Sequence, residues 1–178
     1  MCGIVGLFLK SKSLEPQLGT MLSQMLSVMT DRGPDSAGFA VYGEGDRKHI
    51  KLTLRSHEGG GTDDVSADLS KHLGQTLTSS KRGSHLVITI PNDAEQKVRD
   101  WLAAHRPDIR VVGAGSRMEL YKEVGLPSEV AERFALGTMK GTHGIGHTRM
   151  ATESAVTTDG AHPFSTGIDQ CLVHNGSL

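Results

Sequence analysis

Aromatic side chains make up only 4% of this 178-residue chain, too few to build the stacking platform on which single-stranded nucleic acid binds. Charge of one sign is also missing. Nineteen lysines and arginines against 20 aspartates and glutamates leave a formal net charge of -1 and a pI near 6.7, so no long-range field draws the chain to nucleic acid or to an anionic membrane surface. No apolar run is long enough to span a bilayer and no charged-then-apolar leader opens the chain, which places the expected location in the cytoplasm. Cysteine is scarce: Cys2 and Cys171 stand at opposite ends, and both thiols are expected to be free in a reducing compartment. Cofactor signatures are lacking as well. Gly113-Ala114-Gly115-Ser116 has neither the third glycine of a dinucleotide loop nor the Gly-Lys of a P-loop, and reads as a tight turn. His143 and His147 are four apart, but Gly144 and Gly146 oppose the helix that would bring them together, and no Cys pair or flanking carboxylate completes a zinc site. Neither a metal nor a cofactor is expected.

With 37% hydrophobic residues the chain can build one domain with a real core, and 22 glycines imply many tight turns and close backbone approaches. The apolar run Ile4–Leu9 predicts a strand buried on both faces. Leu14, Leu18, Met21, Leu22, Met25, Leu26 and Met29 recur at helical spacing, with Ser13 as the cap and Pro16 in the first turn; this methionine-rich stripe reads as core packing. Phe39–Tyr42 predicts a short strand after a turn-rich connection. A compact β-α-β unit follows from Ser84–Ile90 (strand), Ala94–His105 (helix, capped by Asn92 or Asp93) and Ile109–Val112 (strand). Ser128 is the expected cap of a short helix reaching Phe134, and Cys171-Leu172-Val173 reads as a buried strand. Residues 43–84 are polar and Gly-rich, with two weak element signals and no chemistry.

Cys2 carries the chemistry. Once Met1 is removed, a thiol nucleophile and a free α-amino group share one residue, and an amine titrating near pH ~8 can act as the base that the thiol needs, usually through a water. Further distinctive stretches are Arg32-Gly33-Pro34-Asp35-Ser36-Ala37-Gly38, Gly146-His147-Thr148-Arg149-Met150-Ala151-Thr152, His162-Pro163 and His174-Asn175-Gly176. Together with Cys2-Gly3-Ile4-Val5-Gly6, and in this order, they resemble the glutaminase domain of class II glutamine amidotransferases, which are N-terminal-nucleophile (Ntn) hydrolases. Met150 and the preceding Gly141-Thr142-His143-Gly144-Ile145-Gly146-His147 are most similar to the stand-alone amidotransferase subunits of glutamate synthase and N-methylglutamate synthase complexes.

That resemblance implies an α+β fold, the Ntn four-layer α-β-β-α sandwich, over residues 2–178, with 43–140 as a partly inserted segment. It implies glutamine as substrate, Cys2 as nucleophile, and an oxyanion hole made by the Asn175 side chain and the Gly176 backbone. It also implies Arg149 on the substrate carboxylate, Arg32 and Gly33 positioning the terminal cysteine, and Thr152 and His162 in or behind the pocket. The ammonia acceptor is expected to bind a separate synthase subunit, so the chain is expected to work in a hetero-oligomer. In the family a carboxylate downstream of His-Asn-Gly holds the substrate ammonium; no residue after Asn175 can do so, and the sandwich is expected to be incomplete at the C-terminus. Two other readings stay open: a binding or regulatory subunit without turnover, and an Ntn peptidase or acylase.

Overall fold

The computed structural model describes residues 1–57, 61–151 and 155–176. In chain order its elements are β1 (Gly3–Phe8), α1 (Leu18–Ser27), β2 (Ser36–Tyr42), β3 (His49–Ser56), α2 (Val65–Leu73), β4 (Thr78–Arg82), β5 (His85–Pro91), α3 (Glu95–His105), β6 (Ile109–Gly115), β7 (Met118–Val124), α4 (Pro127–Arg133), β8 (His143–Arg149), β9 (Phe164–Gly167) and β10 (Gln170–Leu172), with short 3-10 turns between some of them. The class is α+β with antiparallel sheets, compatible with an Ntn-type sandwich. No helix among the described residues is long and apolar enough to cross a membrane.

The first sheet has the order β1-β8-β2-β7. Strand alternation gives it two faces of different character. Val5, Phe39, Val41 and Tyr121 point to one face, where α1 (Leu18, Leu22, Leu26) and α4 (Val130, Ala131) cover them. Full burial of each such leucine contributes roughly 1.5–3 kcal/mol. Gly144 and Gly146 point the same way, and a Cβ at either would stand 2.8 Å from the Cδ2 of Leu22 or Leu26. These two glycines let α1 lie close on β8. The opposite face carries Ala40, Leu120 and Ile145, against which the β9–β10 hairpin leans through Cys171.

Strands β3 to β6 form a second sheet, order β4-β5-β3-β6, with α2 and α3 on one face. This β-α-β-β-α-β run is a split βαβ arrangement inserted between β2 and β7. Its bare face meets strand β7: His85 lies beside Tyr121, Thr53 Oγ1 is 3.5 Å from Leu120 N, and Lys51 pairs with Glu119 at 2.8 Å.

Several elements differ from expectation. Strand β1 is an edge strand and is covered on one face only, leaving Ile4 and Phe8 exposed. The helix expected from Leu14 starts as a 3-10 turn (Lys12–Gln17) that contains Pro16, and the α-helix begins at Leu18. Gly113–Gly115 belong to β6, and the turn falls at Ser116-Arg117. Helix α4 starts at Pro127, whose fixed φ suits the first helical position, with Leu126 rather than Ser128 preceding it. Cys171 is half-buried in a two-stranded hairpin, and Leu172 beside it is exposed.

Candidate active site

The pairing of β1 with β8 sets Gly3 opposite Thr148, so one further step places Cys2 beside Arg149 at the end of the first sheet. Strand β2 flanks the same end, with Ser36 opposite Arg149. Alternation then puts Arg149 and His147 on the face turned away from α1. Cys2 Sγ contacts Met150 O at 3.8 Å. Met1 is exposed, and its ammonium lies 3.1 Å from Met150 Sδ.

The end of the described chain returns to the same place. Asn175 Nδ2 donates to Cys2 O at 3.1 Å, joining residues 173 apart in sequence. The segment ahead of it is held from below: His147, completely buried in β8, is 3.0 Å from His174 O through Nε2. A carbonyl oxygen only accepts, so His147 is the Nε2–H tautomer when neutral. Burial lowers its pKa and favours that neutral form. Gly176 has φ 153°, in the region that disfavours a side chain.

His162 is 8% exposed and lies with its ring 4.3 Å from that of His147. Burial first, then unfavourable electrostatic coupling to His147, Lys122 and Arg149, pushes its pKa down to about 4. Beside it, Lys122 donates to Ala161 O (2.8 Å) and Asp159 O (3.1 Å) and lies over the Phe164 ring; burial lowers its pKa to about 8. These carbonyls belong to the loop that flanks Arg149, whose Nη1 contacts Ala155 O at 3.4 Å.

Gly33 is buried against the backbone of β8, where a Cβ would stand 2.4 Å from Thr148 C and 2.5 Å from Arg149 N. Arg32 closes the 3-10 turn Thr30–Arg32 and is exposed. The expected pocket residue Thr152 lies outside the described residues. Thus Cys2, Arg149 and Asn175 meet at one end of the sheet, Gly33 braces that end, and His162 lies beneath it. Sequence reasoning gave no role to Asp35, whose Oδ2 accepts from Ala151 N at 2.7 Å while its own N–H donates to Arg149 O at 3.1 Å. It sits inside the turn-rich Arg32–Gly38 stretch, where its ability to accept backbone N–H bonds was the available signal. Among the described residues no group of three or more His, Cys, Asp or Glu could hold a metal ion.

Comparison with known proteins finds relatives along the whole chain. It is 56% identical over 181 residues to the glutamine amidotransferase-like protein GlxB of Rhizobium meliloti, aligning over 100% of this chain and 59% of that protein. It is 33% identical over 189 residues to a putative glutamine amidotransferase of Methanothermobacter thermautotrophicus, covering 62% of it. A 71-residue stretch is 44% identical to a glutamine--fructose-6-phosphate aminotransferase of Methanosarcina mazei, over 36% of this chain and 11% of that protein. The chain therefore spans about three fifths of the length of the two relatives that match it throughout. No protein-family model matches it.

Proposed function

Starting from the glutamine amidotransferase family that these relatives support, we propose that the chain hydrolyses glutamine to glutamate and ammonia at Cys2 and hands the ammonia to a partner synthase subunit. The observation that carries the reading is the contact between Asn175 Nδ2 and Cys2 O, which brings the proposed oxyanion residues to the nucleophile at the end of the sheet where Arg149 emerges.

Removal of the exposed Met1 frees the amine of Cys2, which takes the thiol proton through a water. The thiolate attacks the side-chain amide carbon, and the oxygen of the tetrahedral intermediate accepts from the Asn175 amide and the Gly176 N–H. Each such donor is typically worth about 3 kcal/mol. Collapse breaks the C–N bond, the protonated amine returns its proton to the leaving ammonia, and water releases glutamate from the thioester. Arg149 grips the substrate carboxylate through its planar fork. Gly33 and Arg32 steady the terminal residue and His162 underlies the pocket, while Thr152 keeps only the pocket role that the family resemblance implies. The ammonia acceptor in this reading is a subunit of the glutamate-synthase type.

Ammonia release from glutamine by the purified chain, alone and with candidate synthase subunits, tests this. Activity is expected only in protein whose mass shows Met1 removed, and Cys2→Ala should abolish it. Ammonia production surviving Cys2→Ala would eliminate the mechanism. Arg149→Lys should raise KM more than it lowers kcat, since a single point charge replaces a two-pronged grip.

A further inference from the structure

The inserted βαββαβ module and the β9–β10 hairpin line an open cavity of ≈ 290 Å³ that shares no lining residue with the site at Cys2. Glu95 and Arg99 of α3 form one wall, Val111 of β6 the floor, and Ser165, Gly167 and Ile168 of the hairpin the opposite wall. Seams between units of a fold are favoured places for small-ligand sites. We propose that this cavity binds a free α-amino acid as an effector.

The chemistry of the walls selects that class. Arg99 and Glu95 sit one helical turn apart and pair through a single carboxylate oxygen: Arg99 Nε is 2.9 Å and Nη2 2.8 Å from Glu95 Oε1. Glu95 Oε2 and Arg99 Nη1 make no further hydrogen bond among the described residues, so the pair offers an acceptor and a donor side by side. A zwitterion presents the complementary ammonium and carboxylate on one carbon. The Ser165 hydroxyl adds a polar contact, and Val111 with the half-exposed Ile168 supplies apolar surface for an aliphatic side chain. The volume accommodates a molecule of amino-acid size.

The hairpin gives the cavity a route to the reaction. Its turn residue Asp169 accepts from Ser116 N (3.1 Å), Ser116 Oγ (2.8 Å), Arg117 N (2.8 Å) and Met118 N (2.9 Å), which locks it to the turn joining β6 to β7. Its second strand, β10, runs two residues later into His174-Asn175-Gly176. A ligand clamped between α3 and β9 therefore bears on the segment that carries the oxyanion donors, an effect on turnover that rests on the function proposed above.

The test is a titration of the full chain carrying Cys2→Ala, followed by amide shifts and calorimetry, with L-glutamate, L-glutamine, glycine and propionate as probes. The amino acids should shift Gly113, Ala114, Ser165 and Gly167 together, and propionate should bind at least tenfold more weakly. Arg99→Ala, at a partly exposed side chain that leaves the fold intact, should weaken the cavity response at least tenfold, and Glu95→Gln should weaken it for amino acids. No response at these amides, a response that survives Arg99→Ala, or equal binding of propionate overturns the proposal. Response at the cavity with none around Cys2 and Arg149 would sink the glutaminase reading and leave this one standing. The reverse pattern would do the opposite.

Discussion

His147 has no solvent exposure, yet its Nε2 is 3.0 Å from a backbone carbonyl 27 residues downstream, just ahead of Asn175. A buried imidazole with such a bond is a brace, and removing the donor leaves that carbonyl without its partner at a cost of about 1–3 kcal/mol. On the mechanism proposed above, His147→Phe, which keeps the ring and loses the N–H, should lower kcat by roughly tenfold or more with little change in KM, because in that mechanism substrate binding does not depend on the oxyanion donors. Steady-state kinetics on the folded variant decide it; a rise in KM at constant kcat would contradict the assignment. Gly33 is a second residue-scale case. A methyl group there would overlap backbone atoms of Thr148 and Arg149, which cannot swing aside as a side chain end could. Gly33→Ala should therefore cost about 1–3 kcal/mol in stability and displace Arg149, read as a lower Tm together with, under the proposed function, a raised KM for glutamine.

Among the elements, helical periodicity identified α1 and α3 and apolar β-rich composition identified β5, because each of these presents its pattern in a single short window. The elements that escaped are those whose own residues carry no period. Strand β4 (Thr78-Ser79-Ser80-Lys81-Arg82) is almost wholly exposed at the sheet edge and carries no alternation, so nothing local marks it. Strand β1 misled in the other sense: a continuous apolar run signals two buried faces, whereas Ile4 and Phe8 stand exposed. The β9–β10 hairpin is the shortest pairing and depends on tertiary bonds to Asp169, whose carboxyl pKa is lowered by hydrogen bonds from Arg117, Ser116 and Met118 that outweigh its burial. Asp169→Asn, which keeps the shape but donates where three backbone N–H groups point, should lower stability by about 1–3 kcal/mol. The wild-type advantage should fade as pH drops below ~4, where the carboxylate protonates in the unfolded chain first. Urea melts of both proteins at pH 7 and pH 3.5 measure it; an unchanged gap would show that the charge contributes nothing.

At the scale of the molecule, the sequence disclosed the residues of the candidate site better than the architecture that assembles it. Cys2, Arg149 and Asn175 stand in short motifs that resemblance can match, while the βαββαβ insertion emerges only when β3 pairs with β5 and β6 across the intervening helices. Its join to the first sheet is also non-local: His85 of β5 lies edge-on to Phe134 at 4.8 Å, beside Tyr121. Burial pushes the His85 pKa down to about 3 against the opposing pull of Glu123, and Arg55 and Lys122 push in the same direction as burial. With His162 at about 4 and His147 also lowered, three imidazoles are held neutral in the folded chain. Unfolding returns them to an ordinary pKa near 6.5, so below that pH the unfolded state binds more protons than the folded one. Stability is therefore complete above ~6.5 and declines as pH falls through the folded values of about 4 and 3. Thermal melts from pH 8 to pH 4.5 at constant ionic strength should show Tm falling from just below neutrality, before carboxylates begin to titrate. His85→Phe should flatten that slope, since it deletes one of the protons taken up on unfolding while keeping an aromatic ring against Phe134. A Tm independent of pH over this range would mean that the seam between the inserted module and the first sheet is open to water.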